Sequence, residues 1–166
     1  MRNFNQSEID NLISCPKHVS VPPKREMTLD GADWRNDAKL IASNSKDDVF
    51  SIFMRKNEDY PENFSIVLRY SPQDEPETIT LIRCNGPHGD FNASIDPDHP
   101  HCFFHVHRAS QEAIEAGCKP ERFASKTTEF ASYEEALQYF VKAINLDPKD
   151  VEKHFPSSAQ IPLFPA

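Results

Sequence analysis

Glycine is scarce in this chain of 166 residues, which has four glycines against fourteen prolines. Hydrophobic residues make up only 38% of it. This composition indicates one domain with a compact centre and extended, irregular ends. We therefore expect a single domain over residues 1–166, with an extended arm at residues 17–36 and a proline-rich tail at residues 156–166.

Long apolar runs are also missing, and no segment approaches the length needed to span a membrane. The N-terminus shows no secretory hydrophobic region. The four cysteines form no Cys-x-x-Cys pair and are too sparse for a disulfide scaffold, so we expect reduced thiols. Together these features predict a cytoplasmic protein that does not contact membranes.

Positive charge is in deficit, with 18 lysines and arginines against 26 aspartates and glutamates, and the net charge is −8. Because phosphate-binding surfaces are normally basic, this balance argues against broad attraction to nucleic acids or membrane surfaces. It leaves room for a local basic face.

Helical patterns occur at both ends of the chain. An apolar stripe with Ser7 as cap predicts a short helix over Ser7–Ser14. Ser110 and Gly117 predict the start and end of a helix at Gln111–Ala116. The strongest pattern, with Ser132 and Glu135 as a capping box, predicts a helix over Tyr133–Leu146. Asp147-Pro148 predicts one more short helix, to about His154.

The centre of the chain is rich in β-branched and aromatic residues separated by Pro/Asn/Asp turns, as in an antiparallel meander. Five strands are predicted, of which the first is the weakest: Ala38–Ser43, Val49–Lys56, Phe64–Tyr70, Thr78–Cys84 and Cys102–Arg108. The fold class is therefore α+β, with the Tyr133 helix packed on one face of the sheet. The other face is free for chemistry.

Alternation along the strands sorts the side chains between the two faces. Arg55, Arg69 and Arg83 fall on the less apolar face, near the ends of three successive strands. Arg83 is expected to lie beside His105 and His107 of the fifth strand. Ile79 and Leu81 alternate in phase with Arg83, whereas the thiols of Cys84 and Cys102 are assigned to the covered face.

Five of the seven histidines lie between Arg83 and Arg108, at positions 88, 99, 101, 105 and 107. His105 and His107 are about 6.6 Å apart along a strand. With His88 they can act as acid and base on a phosphodiester while Arg83 offsets charge. Asn85, Arg55 and Arg69 are candidate substrate-binding residues. This mechanism requires no cofactor and, with a ribose 2′-hydroxyl as nucleophile, would cleave RNA.

Two other interpretations of the histidines stay open. His-x-His on a strand is a frequent two-ligand pair, so His101, His105 and His107 can instead form a zinc, manganese or iron site, with His88, His99 or Asp98 as further candidate ligands. Alternatively, the histidines only hydrogen-bond to loop backbone and have a structural role.

Arg83-x-Asn85-Gly86-Pro87-His88 followed by His105-x-His107 resembles a pattern in the TumE-like family of small bacterial toxins. That family has Arg-x-Asn-Ala-Pro-His, a short loop and His-x-His, so Gly86 stands where the family has alanine. A related bacterial family of unknown function shows the same order of elements. The resemblance covers roughly residues 49–144 and implies a toxin–antitoxin or defence setting with RNA as target.

Three functional hypotheses follow. The leading one is a small cytoplasmic bacterial toxin that cleaves RNA without a metal. As a toxin it would have an antitoxin as its protein partner. The second is a non-enzymatic interaction protein of a mobile element or defence system, whose acidic surface binds a basic protein. The third is a metal-dependent hydrolase that uses the His-x-His strand.

Overall fold

The computed structural model of the chain describes residues 2–88 and 98–157. In these residues it contains four α-helices, namely α1 Gln6–Ser14, α2 Gln111–Glu115, α3 Tyr133–Ala143 and α4 Pro148–His154. The strands are β1 Lys17–Val21, β2 Thr28–Asp30, β3 Asp33–Ala42, β4 Ser45–Asn57, β5 Phe64–Ser71, β6 Ile79–Asn85, β7 His105–Arg108 and β8 Ala124–Lys126. The predicted α+β class is confirmed.

The strands form one antiparallel sheet in the order β1-β3-β4-β5-β6-β7-β8, and β2 also pairs with β3. The meander was predicted, but the expected number of about five strands was wrong, because the described residues form eight. The three additional strands, β1, β2 and β8, are only three to five residues long. Such short segments show too few alternations to be recognised in a sequence.

The segment at residues 17–36, predicted as an extended arm, is part of the sheet in the structure. It contains β1, β2 and the start of β3, and it is hydrogen-bonded to the sheet along most of its length. Its prolines at positions 22 and 23 fall just after β1, an edge strand, where a missing N–H does not break the sheet. In the proline-rich tail, residues 158–166 lie outside the described part of the chain.

The helices largely follow their predicted caps. Ser110, Ser132 and Asp147 each accept a hydrogen bond from the first turn of α2, α3 and α4. Helix α1 is capped by Asn5 rather than Ser7 and begins at Gln6. Helix α3 ends at Ala143, three residues before the predicted end, where the chain turns into a left-handed conformation with φ of 55° at Asn145.

One face of the sheet forms the hydrophobic core with α1 and α3. The core includes the residues of β4 and β5 that alternation places on the face opposite Arg55 and Arg69, namely Phe50, Ile52, Met54, Phe64, Ile66, Leu68 and Tyr70. Helix α3 contributes Ala136, Phe140 and Val141. The thiol of Cys84 is buried there as predicted. Within the described residues no helix combines the length and apolar character needed to cross a membrane.

Strand β6 departs from simple alternation. Leu68 pairs with Ile82 and Arg69 pairs with Thr80, so Leu81 is an extra residue in a bulge. Ile79 therefore faces the core opposite Tyr70, and not the side of Arg83 as predicted. Because the bulge lies before Ile82, the rest of β6 keeps the predicted alternation and Arg83 stays on the open face.

The last predicted strand is shorter than expected. It begins at His105 rather than Cys102, because Pro100–Cys102 form a 3-10 turn. Cys102 is half-buried in that turn and is therefore not on the covered face of the strand. Pro100 has no N–H to donate to a strand ladder and has a φ that suits the first position of a helical turn.

Strand pairing arranges the open face in two adjacent rows that run across the sheet. The first row, from β3 to β7, is Arg35, Arg55, Ser65, Asn85 and His105. The second row is Asp37, Phe53, Val67, Arg83 and His107. Both rows end at the histidines of β7.

Candidate functional site

All five histidines of the central stretch meet at the end of the open face. His101 is at the centre of the group, with ring centroids 4.6 Å from His88, 4.6 Å from His105, 4.8 Å from His99 and 5.2 Å from His107. The rings of His101 and His105 are stacked at an interplanar angle of 11°. Two imidazolium ions would repel each other in this arrangement, so it favours neutral rings.

Three separate elements bring these histidines together. His105 and His107 lie on β7, His101 is in the 3-10 turn, and His88 follows β6. The backbone N–H of His88 donates to the carbonyl of His101, at 3.2 Å, which ties the two ends of the intervening loop together. Residues 89–97 of that loop lie outside the described part of the chain.

Gly86 allows the chain to turn between β6 and His88. Its N–H donates to the carbonyl of Phe64, at 3.2 Å, and its Cα packs against the backbone of Glu62. A Cβ at this position would overlap with the carbonyl oxygen of Glu62. The alanine that the TumE-like pattern has here therefore does not fit this backbone.

His105 is fully buried, and its two ring nitrogens have different surroundings. Nδ1 lies 2.8 Å from the carbonyl oxygen of Phe103, so it carries the proton and donates it. Nε2 is buried and has no hydrogen-bond partner within residues 2–88 and 98–157. Burial lowers the pKa of His105 to about 4, and the neighbouring histidines act in the same direction. The ring is therefore neutral at pH 7, with the Nε2 lone pair available.

His107 is held in the same way, although it is slightly exposed. Its Nδ1 donates to the carbonyl oxygen of Glu121 at 3.0 Å. Burial lowers the pKa of His107, and the nearby Arg83 guanidinium acts in the same direction, while the hydrogen bond to Glu121 opposes them. The net lowering of the pKa favours the neutral form of His107.

Arg83 forms an ion pair with the Glu121 carboxylate at 3.3 Å. Burial lowers the pKa of Arg83, Glu121 raises it, and the guanidinium groups of Arg69 and Arg55 lower it. Its Nε is buried without a hydrogen-bond partner among the described residues. Glu121 was not predicted as a site residue, since it lies in an irregular segment with no motif.

The predicted substrate-binding residues lie in two adjoining clefts. A cleft of about 380 Å³ is lined by Arg55, Arg83, Asn85 and His88, with Asn63, Phe64 and Ser65. A larger cleft of about 800 Å³ is lined by Arg55, Arg69 and Arg83 among others. Both clefts thus share two arginines, and the smaller one reaches the histidine cluster at His88.

The individual contacts of these residues differ. Asn85 is buried and accepts a hydrogen bond from Ser65 Oγ at 2.9 Å. Arg55 contacts Asp33 at 3.0 Å and Asn63 at 3.1 Å. The guanidinium carbon of Arg69 lies 4.8 Å from the centre of the ring of Phe53, which is also on the open face. The side-chain oxygen of Asn85 is therefore used in a hydrogen bond between neighbouring strands, whereas Arg69 packs on the ring of Phe53.

Three histidines are close enough to share a metal ion. The ligand nitrogens of His88, His101 and His105 all lie within 4.8 Å of one another. The set inferred from the sequence was His101, His105 and His107, and the structure places His88 in this closest group. Asp98, another candidate ligand, lies 3.8 Å from Lys126 and is exposed.

The donor set fits a metal such as zinc in its chemistry. Nitrogens around a tetrahedral zinc ion are about 3.4 Å apart, given Zn–N bonds of about 2.1 Å. The three rings would therefore have to approach one another by up to about 1.4 Å. Of the three, His88 and His101 are half-buried, whereas His105 is fully buried and fixed by its hydrogen bond to Phe103.

Comparisons of the chain with models of protein families, with curated proteins and with solved structures gave no match. Of the residues in the Arg-x-Asn-x-Pro-His and His-x-His patterns, Arg83, Asn85, His88, His105 and His107 lie together in this site.

Proposed function

We propose that this protein is a metal-dependent hydrolase of phosphate esters, with His88, His101 and His105 as the metal ligands. The observation that carries the proposal is the buried Nε2 of His105, which has no hydrogen-bond partner among the described residues. An unsatisfied buried polar atom costs about 1–3 kcal/mol. Because the ligand nitrogens of His88 and His101 are within 4.8 Å, a shared cation accounts for this atom.

The hydrogen bonds around the cluster support the same assignment. Histidines that bind metals commonly donate their second N–H to a backbone carbonyl, which fixes the tautomer and the ring orientation. His105 has this arrangement through Phe103, and its neutral state is the one that binds metals. Imidazole ligands favour zinc, and manganese is the second candidate.

The surrounding residues favour a phosphate ester as substrate. A bound divalent cation supplies a Lewis acid and activates water for attack at neutral pH. Arg55 and Arg83 line the cleft that reaches His88, and two guanidinium groups can bind the oxygens of a phosphate. Arg83, whose buried Nε lacks a partner among the described residues, would stabilise charge in the transition state.

Metal binding is tested directly by elemental analysis of protein purified without chelators. The wild type should contain close to one equivalent of zinc or manganese, and His105→Gln should contain almost none. His154→Gln is the matched control, since His154 is in α4, outside the cluster. Equal metal contents in the wild type and in His105→Gln would contradict the proposal.

Hydrolysis is tested with bis(p-nitrophenyl) phosphate. We expect turnover that is lost with chelator and restored by adding the metal. Arg83→Gln should lower kcat about 100-fold, because one preorganised charge at the transition state has about this effect. A fully loaded protein without turnover on this or any phosphate ester tested would leave a metal site but contradict the enzymatic role.

A second candidate is metal-independent RNA cleavage by His88, His105 and His107 with Arg83. It is favoured by the presence of His88 and Arg83 in one cleft. His105 contributes less to this mechanism, since a pKa of about 4 is far from that of an acid–base catalyst at neutral pH. An RNA with a single 2′-deoxy substitution at the cleaved position separates the two mechanisms. Only the metal-dependent one cleaves it.

A further inference from the structure

The larger cleft on the open face is lined by more basic than acidic side chains, although the protein as a whole is acidic. The chain has a net charge of −8, but five basic side chains line this cleft against two acidic ones. The basic residues are Lys24, Arg35, Arg55, Arg69 and Arg83, and the acidic ones are Asp30 and Asp37. Because clefts concentrate the field of their lining charges, this face attracts anions.

Part of this positive charge is not neutralised by neighbouring carboxylates. Arg35 contacts Asp30 and Asp33, Arg55 also contacts Asp33, and Arg83 contacts Glu121. Arg69 has no ion-pair partner in the described part of the chain. It is also close enough to Arg83 to lower the pKa of that guanidinium. The cleft therefore holds guanidinium groups that repel one another and that an anionic ligand would stabilise.

Phe53 lies in the middle of this charged surface. It is 42% exposed, it belongs to β4, and its neighbours across the sheet are Asp37 and Val67. Its ring lines the same cleft as the arginines, and Arg69 lies over it at 4.8 Å. A flat apolar ring among cations provides a surface on which a nucleobase can stack while phosphates contact the arginines.

We infer that the open face binds single-stranded nucleic acid, with a base stacked on Phe53 and phosphates on Arg55, Arg69 and Arg83. A single strand is the matching ligand because its bases are free to stack, whereas those of a duplex are already stacked. From β3 to β7 the face spans four strand spacings, or about 19 Å, which suits a short stretch of a strand.

The larger cleft adjoins the histidine cluster, so a single strand bound there would lie close to the proposed metal site. This step rests on the proposed function. Arg55 and Arg83 line both clefts, and the smaller cleft contains His88. A strand bound across Phe53 would thus extend its phosphodiester towards the metal ligands. The substrate class of the proposed hydrolase is then single-stranded nucleic acid.

Binding is measured by fluorescence anisotropy of labelled oligoadenylate and oligodeoxyadenylate, with chelator present so that hydrolysis does not interfere. The same deoxy strand annealed to its complement is the duplex control. We expect both single strands to bind and the duplex to bind at least about tenfold more weakly. Three phosphate contacts predict a slope of about −2 for the logarithm of the binding constant against that of the salt concentration.

Two variants test the residues. Phe53→Leu should weaken binding by about 5- to 150-fold, because stacking of a base on one aromatic ring contributes about 1–3 kcal/mol. Tyr60→Leu is its control, since Tyr60 is more exposed and does not line the cleft.

Arg69→Gln should make the slope of the binding constant against salt concentration less steep by about 0.7. Arg108→Gln, also at an exposed position, should leave it unchanged. Thermal melting shows that each variant is folded.

Three outcomes would overturn the inference: no binding of either single strand at low salt, equal binding of duplex, or unchanged affinity in both Phe53→Leu and Arg69→Gln. Polyglutamate that binds where the oligonucleotides do not would assign the cleft to an acidic protein instead. If the metal-loaded wild type binds the single strands but hydrolyses no phosphate ester, only the proposed function is contradicted. Hydrolysis of bis(p-nitrophenyl) phosphate without strand binding contradicts only this inference.

Discussion

The ammonium group of Lys17 lies 2.9 Å from the backbone oxygen of Ile144, the residue that caps the C-terminal end of α3. The same group donates to the carbonyls of Ile13 and Cys15 at the end of α1, at 2.8 and 2.9 Å. Carbonyls at helix ends have no partner within the helix. One fully buried lysine thus satisfies the ends of both helices that cover the sheet.

Replacing Lys17 with methionine should therefore destabilise the fold. The side chain would keep its length, but three carbonyl oxygens would lose their donor. We expect the free energy of unfolding to fall by about 2–4 kcal/mol, measured by urea denaturation at neutral pH. Lys39→Met, at an exposed position of β3, should change it by less than about 0.5 kcal/mol. Equal effects of the two variants would show that the buried ammonium has no special role.

The pH dependence of this contribution has a definite sign. Burial lowers the pKa of Lys17 from 10.5 to about 8. Between these values the unfolded chain binds more protons than the folded one, so stability rises with pH. The unfolding free energy of the wild type relative to Lys17→Met should increase by about 1 kcal/mol from pH 8 to pH 9. Below about pH 7 the difference should be constant, and a decrease above pH 8 would contradict the lowered pKa.

Lys17 also illustrates what the sequence could not predict. Its partners lie at Ile13 and Ile144, and nothing local to residue 17 signals a contact over 127 positions. By contrast, the faces of β4 and β5 were predicted correctly, because alternation of side chains follows directly from strand geometry. The bulge at Leu81 then moved Ile79 to the opposite face, and bulges leave little trace in a single sequence.

In the candidate site, too, the contacts between strands could be predicted from the sequence and those of irregular segments could not. Arg83 and His107 are paired in neighbouring strands, as the order of the strands suggested, and His88 lies three residues after the end of β6. The central place of His101 depends on the 3-10 turn, and the contact between Glu121 and Arg83 depends on an irregular segment. Contacts of irregular segments have no period that a pattern could reveal.

The turn at Gly86 provides a further prediction. Gly86→Ala should displace the turn, since the new Cβ would overlap with the carbonyl of Glu62. We expect a loss of about 1–3 kcal/mol in unfolding free energy and a clear loss of bound metal, because His88 is two residues away. Gly31→Ala is the control, because its φ of 64° would strain an alanine although the space around it is open. It should lose stability and keep the metal, and a Gly86→Ala protein with full metal content would contradict the role of the turn.

Glu121 is expected to act as a positioning residue for Arg83. Glu121→Gln removes the carboxylate charge at 3.3 Å from the guanidinium, while the backbone carbonyl that holds His107 stays in place. We expect kcat for phosphate ester hydrolysis to fall about tenfold, because Arg83 is no longer fixed at the cleft. Metal content should not change, which distinguishes this effect from general disruption of the site. Glu115→Gln in α2 serves as the control for the loss of one acidic charge.

A double-mutant cycle decides whether Glu121 acts through Arg83. If it does, adding Glu121→Gln to Arg83→Gln should lower kcat no further, since the group to be positioned is already absent. Additive losses in the double variant would mean that the carboxylate acts on the reaction by another route. The residue through which Glu121 would then act is His107, whose ring donates a hydrogen bond to the backbone carbonyl of Glu121. In that case the kcat of Glu121→Gln should depend on pH differently from that of the wild type, because the side-chain charge also influences the pKa of His107.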